Sequence, residues 1–363
     1  MNRRGQETLS TNQVLWITFA MLPIGTSIFP RTMNQYAGQS GWIFVLLSTL
    51  LVLLISRILF MLVSKYPGLS FLEILQYVLG KWLAYLVTFL SMFVLILYSG
   101  LGVRGLANEL IVYLLPHTPT SVIIIPALLL LLYTINKGIG TIARLNEIVQ
   151  PILLIGFIAL GLLVINKADF ANLLPILPEK ISFLDASLYS FYPFLLLIFL
   201  LPFMFAHFPT QKGMWKGIAV GICLIGFVFL LFLVFSISVF GTVELLYIEF
   251  PSIDLARMIM FPFLERMEIV YMVIWIPVAL TLHSVTVYIC SEGFNQLFPR
   301  WSFLAWSMIN TIFIGIVALL PDDIEQVVEF SKYLLLYSIV IWVLFIPLLV
   351  LWDAWKNKGK SSG

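Results

Sequence analysis

Leu22-Pro23-Ile24-Gly25-Thr26-Ser27-Ile28-Phe29-Pro30 interrupts an apolar run that starts near Gln13 and would otherwise read as one membrane-spanning helix. The prolines remove amide donors and Gly25 weakens the helix. In hydrocarbon an unpaired backbone polar group costs several kcal/mol, so irregular backbone at that depth persists only where it is buried in protein or lines a cavity. The stretch therefore marks a place where something polar binds.

Outward from that break, the chain is 61% hydrophobic and 10% charged, with a mean hydropathy of +1.05. So much apolar surface cannot be hidden in a water-soluble core, and the expected class is an all-α integral membrane protein. Spans need roughly 20 mainly apolar residues. Ten are expected, over residues 13–36, 41–64, 82–114, 120–136, 141–165, 187–206, 216–240, 267–290, 302–320 and 333–352. The first is not expected to be a cleavable signal peptide, because it lacks a small-residue cleavage site and continues through Pro23 and Pro30. No linker divides the chain, so residues 1–363 form a single membrane domain.

Lys and Arg are retained on the cytoplasmic side of a membrane. With the amino terminus inside, twelve basic residues fall in inner segments and six in outer ones, while twelve acids lie outside. Both termini are accordingly expected in the cytoplasm, with the basic tail Lys356–Lys360 anchored at anionic lipid. A net charge of +2 gives no reason to expect a nucleic-acid partner. Cys223 and Cys290 fall within spans and read as small apolar side chains. His117, His207 and His283 are far apart and have no ligand spacing, and neither a phosphate-cradling loop nor a nucleophile elbow occurs. No metal, cofactor or enzymatic activity is expected.

The two ends of the span series mirror one another. Span six, Tyr189-Ser190-Phe191-Tyr192-Pro193-Phe194-Leu195-Leu196, is also interrupted by Pro. Short amphipathic segments follow span two (Ser70–Gly80) and span seven (Ser252–Phe261). That pattern predicts two inverted five-helix halves, 13–165 and 187–352, whose broken helices one and six flank a site near the midplane. Pro277, Thr281, Ser284 and Tyr288, spaced four, three and four, place a polar stripe on one face of span eight. Tyr98 and Gly102 of span three are candidates for the same cavity. Arg104 and Glu109 lie about 500° apart around a helix of 3.6 residues per turn, so they share no face well. They are expected to pair with neighbouring helices or to snorkel.

Gly25-Thr26-Ser27-Ile28-Phe29 resembles the Gly-x-Gly-Ile-Phe element in the first helix of amino-acid permeases of the amino acid–polyamine–organocation superfamily, with Ser27 in place of the second Gly. The rest of the chain resembles one branch, the B subunits of endospore germinant receptors, through pieces spread in order along it. These are Ser10-Thr11-Asn12-Gln13, Tyr66-Pro67-Gly68, Leu79-Gly80-Lys81-Trp82, Leu114-Leu115-Pro116-His117-Thr118-Pro119, Ile142-Ala143-Arg144-Leu145-Asn146-Glu147, Asn172-Leu173-Leu174-Pro175-Ile176-Leu177 and Pro262-Phe263-Leu264-Glu265-Arg266-Met267-Glu268. Where that branch often carries Gly-Glu after the aromatic–Pro element of span six, this chain has Leu195 and Leu196, which puts acid-assisted coupling there in doubt.

The resemblance implies a LeuT-like fold and a nutrient-sensing subunit that binds an amino acid or similar small germinant. In it Pro23, Gly25, Thr26 and Ser27 would form the break whose amides hold a carboxylate, an arrangement that suits an anion at a half-helix amino end. Tyr192, Pro193 and Phe194 would wall the side-chain region, and Thr281, Ser284 and Tyr288 with Tyr98 and Gly102 would complete the pocket. Implied partners are a larger A-type membrane subunit, a C-type lipoprotein and membrane lipid, in the spore inner membrane or the cell membrane. The rival reading is a secondary active amino-acid transporter coupled to protons or sodium. Against proton coupling, the sequence places no obvious carboxylate near the break of span one.

Overall fold

The computed structural model describes residues 9–22, 24–176, 181–208, 213–261, 265–339 and 344–361, and no strand occurs among them. Pro23, within the predicted break, lies outside the described residues, as do Pro262, Phe263 and Leu264.

Helix α1 (Thr11–Ala20) begins at a reciprocal cap: Gln13 N–H donates to Ser10 Oγ (3.2 Å) and Ser10 N–H to Gln13 Oε1 (2.9 Å). It stops short of the break, where a tight turn at Ile24–Ser27 takes over. The chain restarts as α2 (Phe29–Ala37), with Pro30 in the first turn, where its missing N–H costs no helical bond. The expected first span is thus two half-helices. Span six behaves alike: α8 (Phe183–Tyr189) and α9 (Leu195–Met204) are separated by a turn at Tyr192–Phe194 and the two arms are bent by 41°.

Between these lie α3 (Gly41–Ser64), α4 (Phe71–Leu79), α5 (Lys81–Tyr113), α6 (Thr120–Ile135) and α7 (Ile139–Val164). After α9 come α10 (Met214–Glu244), α11 (Pro251–Arg257), α12 (Met267–Leu297), α13 (Phe303–Leu319), α14 (Ile324–Ser338) and α15 (Leu344–Ser361). Among the described residues, five helical stretches are long and apolar enough to cross a membrane: Phe29–Ser64, Lys81–Tyr113, Ile139–Lys167, Met214–Glu244 and Met267–Leu297. The bent α8–α9 pair makes a sixth. The expected spans four and nine are the shorter apolar helices α6 and α13, at 16 and 17 residues. The expected tenth span, 333–352, takes in the end of α14 and the start of α15, with residues 340–343 between them outside the described residues.

Outward faces carry the bilayer signature. Leu46, Leu50 and Leu54 of α3, Ile148, Ile152 and Ile155 of α7, and Met308, Ile312 and Ile316 of α13 are all exposed at helical spacing. A stripe that apolar would be an aggregation hazard in water and is the natural outer surface in lipid. Polar side chains instead turn inward and bond across helices: Gln150 Nε2 donates to Thr281 Oγ1 (3.3 Å) and Asn310 Nδ2 to Ser291 Oγ (3.2 Å).

The broken helices sit at the centre. α1 packs against α10 and α7, and α5 against α12 and α13. Close approach of α1 to α10 depends on Gly217 and Gly221, four residues apart. A Cβ at 217 would fall 2.9 Å from Thr11 O, and one at 221 would fall 2.7 Å from Thr18 Cβ.

The two amphipathic segments are helices. α4 is capped reciprocally by Ser70 and Glu73, buries Phe71, Leu72, Ile74, Leu75 and Val78, and ends at Gly80, whose φ of +87° suits glycine. α11 is shorter than the sequence pattern, ending at Arg257, and Ser252 turns its hydroxyl onto Thr26 O of the break (3.1 Å).

Candidate ligand-binding cavity

The two helix breaks meet at one cavity. Gly25, Ile28, Thr32 and Tyr36 line it from the first broken span, and Tyr189, Tyr192 and Leu196 from the second. One wall is α5, with Tyr98, Leu101, Gly102, Gly105 and Glu109; Leu282 and His283 of α12 and Ser331 and Lys332 of α14 complete it. The free space is about 50 Å³, room for roughly three to five water molecules at ~10–15 Å³ of centre volume each.

Aromatic rings fill what remains. Phe29 stacks on Tyr189 (5.4 Å between centroids), Tyr189 on Tyr192 (5.3 Å), and Tyr192 lies 6.4 Å from Tyr98. The Tyr192 ring covers the break directly: a Cβ added at Gly25 would fall 2.1 Å from its hydroxyl oxygen. Gly25 is therefore required by close approach as well as by the broken helix. At the mouth the Lys332 ammonium lies 5.8 Å from the centre of the Tyr36 ring.

Polar atoms inside this shell are incompletely satisfied. His283 Nδ1 bonds Ser99 Oγ at 2.7 Å, while its Nε2 is buried without a protein partner. The Tyr98 hydroxyl lies beside that of Tyr192 but outside hydrogen-bond geometry. Such groups cost free energy unless a ligand or water completes them.

Of the residues singled out from sequence, the cavity brings together Gly25, Tyr98, Gly102 and Tyr192. Thr26, Ser27, Pro193 and Phe194 are buried next to it without lining it. The stripe on α12 faces elsewhere. Thr281 donates to Val278 O (2.8 Å) and accepts from Gln150, Ser284 donates to Leu280 O (2.8 Å), and Tyr288 packs on His207 and Phe303. Hydroxyls that can bond their own helix or a neighbour need no cavity, so equal spacing did not tell which face turns inward.

Glu109 is the residue that sequence reasoning misplaced. It is 1% exposed, lines the cavity, and accepts the indole N–H of Trp275 (2.9 Å). The expectation of no carboxylate near the break of span one is corrected: Ser27 of the break lies beside the Glu109 carboxyl. The available signal was the acid itself, since an ionisable residue inside a span marks a functional site by default. Arg104, one and a half turns earlier, points away and donates to Asp322 O in the α13–α14 connection. Arg57 lies against the Phe60 and Trp215 rings, 5.5 and 5.1 Å from their centres.

The opposite end of α1 is closed by direct bonds. Asn12 Nδ2 and Gln13 Nε2 donate to the two Glu147 oxygens (2.8 and 3.2 Å), and Leu9 N–H donates to His207 O (3.1 Å). His207 Nε2 in turn meets Glu292 Oε2 at 2.7 Å. α1, α7, α12 and the turn that follows α9 are thereby tied together.

Two broken helices meeting at a central cavity, among apolar helices long enough to cross a bilayer, define an all-α membrane fold. Solved structures agree with that fold. Mhp1, a nucleobase-cation-symport-1 family transporter, in a closed conformation with bromovinylhydantoin bound, matches with a TM-score of 0.73 at 12% identity, over 96% of this chain and 78% of that one. A Na+-coupled sialic acid symporter in a substrate-bound outward-open state matches with a TM-score of 0.67 at 14% identity, over 93% and 77%.

The family is narrower than the fold. The model of the spore permease family, described as spore germination protein, matches residues 8–327, and the chain belongs to that family. It is 26% identical to spore germination protein YndE of Bacillus subtilis (strain 168) over 94% of both chains. It is also similar to spore germination protein B2 (22%, 99% of both) and spore germination protein KB (26%, 96% of this chain and 95% of the relative), both of the same organism. These relatives are named for germination and the structural neighbours for transport, none for catalysis.

Proposed function

We propose that the chain is the nutrient-sensing, B-type subunit of a spore germinant receptor, and that the cavity between the two helix breaks receives an amino acid or similar small germinant. The observation that carries this reading is the seating of Tyr192 on Gly25 across a cavity enclosed by both broken spans. Two half-helices of one chain meet there, and the ring that separates them is the group a ligand must displace. Gly25, Thr26 and Ser27 form the turn, Tyr98, Gly102 and Tyr192 the walls, and Phe194 and Pro193 fix the second break behind Tyr192. Thr281, Ser284 and Tyr288 act indirectly, through the packing of α12.

Ligand binding favours a state in which Tyr192 has moved, and any shift in population equals the ligand's preference for that state. The signal passes to an A-type membrane subunit and a C-type lipoprotein, in the spore inner membrane, with both termini of this chain in the cytoplasm. The halves 13–165 and 187–352 serve as the inverted repeats that move against each other.

A proton-coupled amino-acid transporter is the second reading, and Glu109 favours it by supplying a buried acid beside the break. Purified chain in sealed vesicles separates the two. Binding of an amino acid without accumulation of label supports the sensor; accumulation driven by a pH gradient supports the transporter. Loss of neither binding nor germination response in Gly25→Leu, with the protein still in the membrane, would sink both.

A further inference from the structure

The helix that ends the chain borders a second space, far from the two breaks. A groove of about 530 Å³ runs between the end of α4 and α15, lined by Leu, Phe and Trp side chains that include Leu79, Leu348, Trp352 and Trp355. Its volume falls within the ~300–1,000 Å³ of small-ligand sites. Fixed bonds hold its walls. Trp352 Nε1 donates to Val78 O (3.2 Å), and the buried Asp353 accepts from Lys65 Nζ (2.9 Å) and from the Tyr66 hydroxyl (2.5 Å). α15 is thereby fastened to α4 and to the turn after α3, while Leu348, Leu351 and both tryptophans stay exposed beside the groove.

Its length, its ends and its walls each describe the occupant. Along α15 the lining runs from Phe345 to Trp355, about 15 Å at 1.5 Å per residue, which matches one leaflet of a hydrocarbon core ~30 Å thick. The rings of Trp352 and Trp355 stand together at one end, 5.4 Å apart between centroids, the placement expected at headgroup level. Lys356, Lys358 and Lys360 continue α15 past that end, and Lys81 is exposed two residues after Leu79. Asp353, the one acid of residues 344–363, is already paired with Lys65, so this end is cationic. Among the described lining residues none is Gly, Ala or Ser, the types that let a second helix approach closely. We infer that the groove holds one acyl chain of an anionic phospholipid from the surrounding bilayer, with its phosphate at the level of Trp355 and Lys81. Apolar burial supplies the affinity and the lysines choose the headgroup. The attraction of the basic tail for anionic lipid thereby gains a fixed place for one lipid molecule. This site is separate from the central cavity and independent of what that cavity binds.

The test uses the full chain in detergent, mixed with equimolar phosphatidylglycerol and phosphatidylcholine of the same acyl chains and read by native mass spectrometry. One phosphatidylglycerol should stay bound, in more than about tenfold excess over phosphatidylcholine, since each lysine near an anionic lipid counts about fivefold. Lys81→Gln should cut that excess about fivefold. Leu348→Trp fills the groove without changing charge and should release the bound lipid while the unfolding temperature stays that of the wild type. Leu351→Trp repeats the filling if Leu348→Trp does not fold. Equal retention of the two lipids by the wild type overturns the inference, and so does undiminished phosphatidylglycerol in the filled variants. A disulfide between two copies through Leu348→Cys in intact membranes would assign the groove to a second copy of this chain and overturn it as well.

Discussion

The two ends of the first broken span are closed in different ways. At the α1 end, Asn12, Gln13, Glu147, Leu9, His207 and Glu292 form hydrogen bonds between four elements. At the α2 end, closure is by rings: Phe29, Tyr189 and Tyr192 stack in series, Tyr192 lies over Gly25 with Tyr98 tilted beside it, and nearby buried polar atoms such as His283 Nε2 and the Tyr98 hydroxyl lack partners. Hydrogen bonds are directional and several must break together, while a ring leaves by rotation about one or two side-chain torsions. The difference teaches that the cavity can admit a ligand from the aromatic side without disturbing the bonded side. A signal to other subunits requires the second step, loosening the bonded end.

Gly25→Leu should break this comparison most severely. Its side chain would occupy the place of the Tyr192 hydroxyl, 2.1 Å from where the first carbon must sit, so amino-acid binding should vanish in titration. Adding Tyr192→Ala to Gly25→Leu should restore part of the binding, because the two changes share one space and are not additive. Full independence of the two would show that Tyr192 is not the gate.

Trp275→Phe removes the N–H donor of a buried carboxyl. The expected cost is about 1–3 kcal/mol of stability, read as a lower unfolding temperature in nanodiscs. A variant as stable as the wild type would mean that Glu109 finds other donors.

Glu147→Ala sharpens the other side of the contrast. It deletes both side-chain bonds that hold the start of α1 to α7, and a cysteine placed at Ser10 should then react severalfold faster with a water-soluble maleimide. Ligand affinity should change in step if the two ends are coupled, since coupling between sites is reciprocal. Faster labelling with unchanged affinity would show that the ends move separately.

The smallest effect is expected outside the membrane, on α11. Burial pushes the Asp254 carboxyl above the usual carboxylate range, opposed by the Tyr113 hydroxyl and Arg257, with Glu268 adding to the rise. Burial raises Glu249 nearby as well, against Arg31. A folded-state value above the unfolded one means the folded protein holds its proton more tightly, so stability falls as pH rises from the unfolded value, about 4, through the raised folded value. Protection of the α11 amides, meaning exchange relative to the intrinsic rate at each pH, should therefore rise modestly on acidification from neutral pH, and the dependence should shrink in Asp254→Asn. Protection that falls on acidification would reverse the assigned sign.

How much of this was legible follows from which residues carry local instructions. Pro30 and Gly25, and Pro193 in span six, announce the two breaks because each acts on its own backbone. Ser70, Glu73 and Gly80 announce α4 for the same reason. The face of α12 was not legible: Thr281 and Ser284 have the right spacing for a lining, yet Gln150 and their own helix take the hydroxyls, and Leu282 and His283 reach the cavity instead. Glu109 was visible as an acid in a span, but its angle to Arg104 said only that the two point apart. Which of them meets the break depends on how α5 is rotated against α12 and α13.

The amino-acid sequence alone determined that this protein lives in a membrane, that it is helical, and where its backbone must break, because hydropathy, amide loss at proline and helix propensity are properties of a residue and its immediate neighbours. Tertiary packing decided which side chains border the cavity, that Tyr192 lies on Gly25 and that Glu109 stands beside Ser27. Those are contacts between residues far apart in the chain, set by helix rotation and close approach in three dimensions, and no local pattern encodes them.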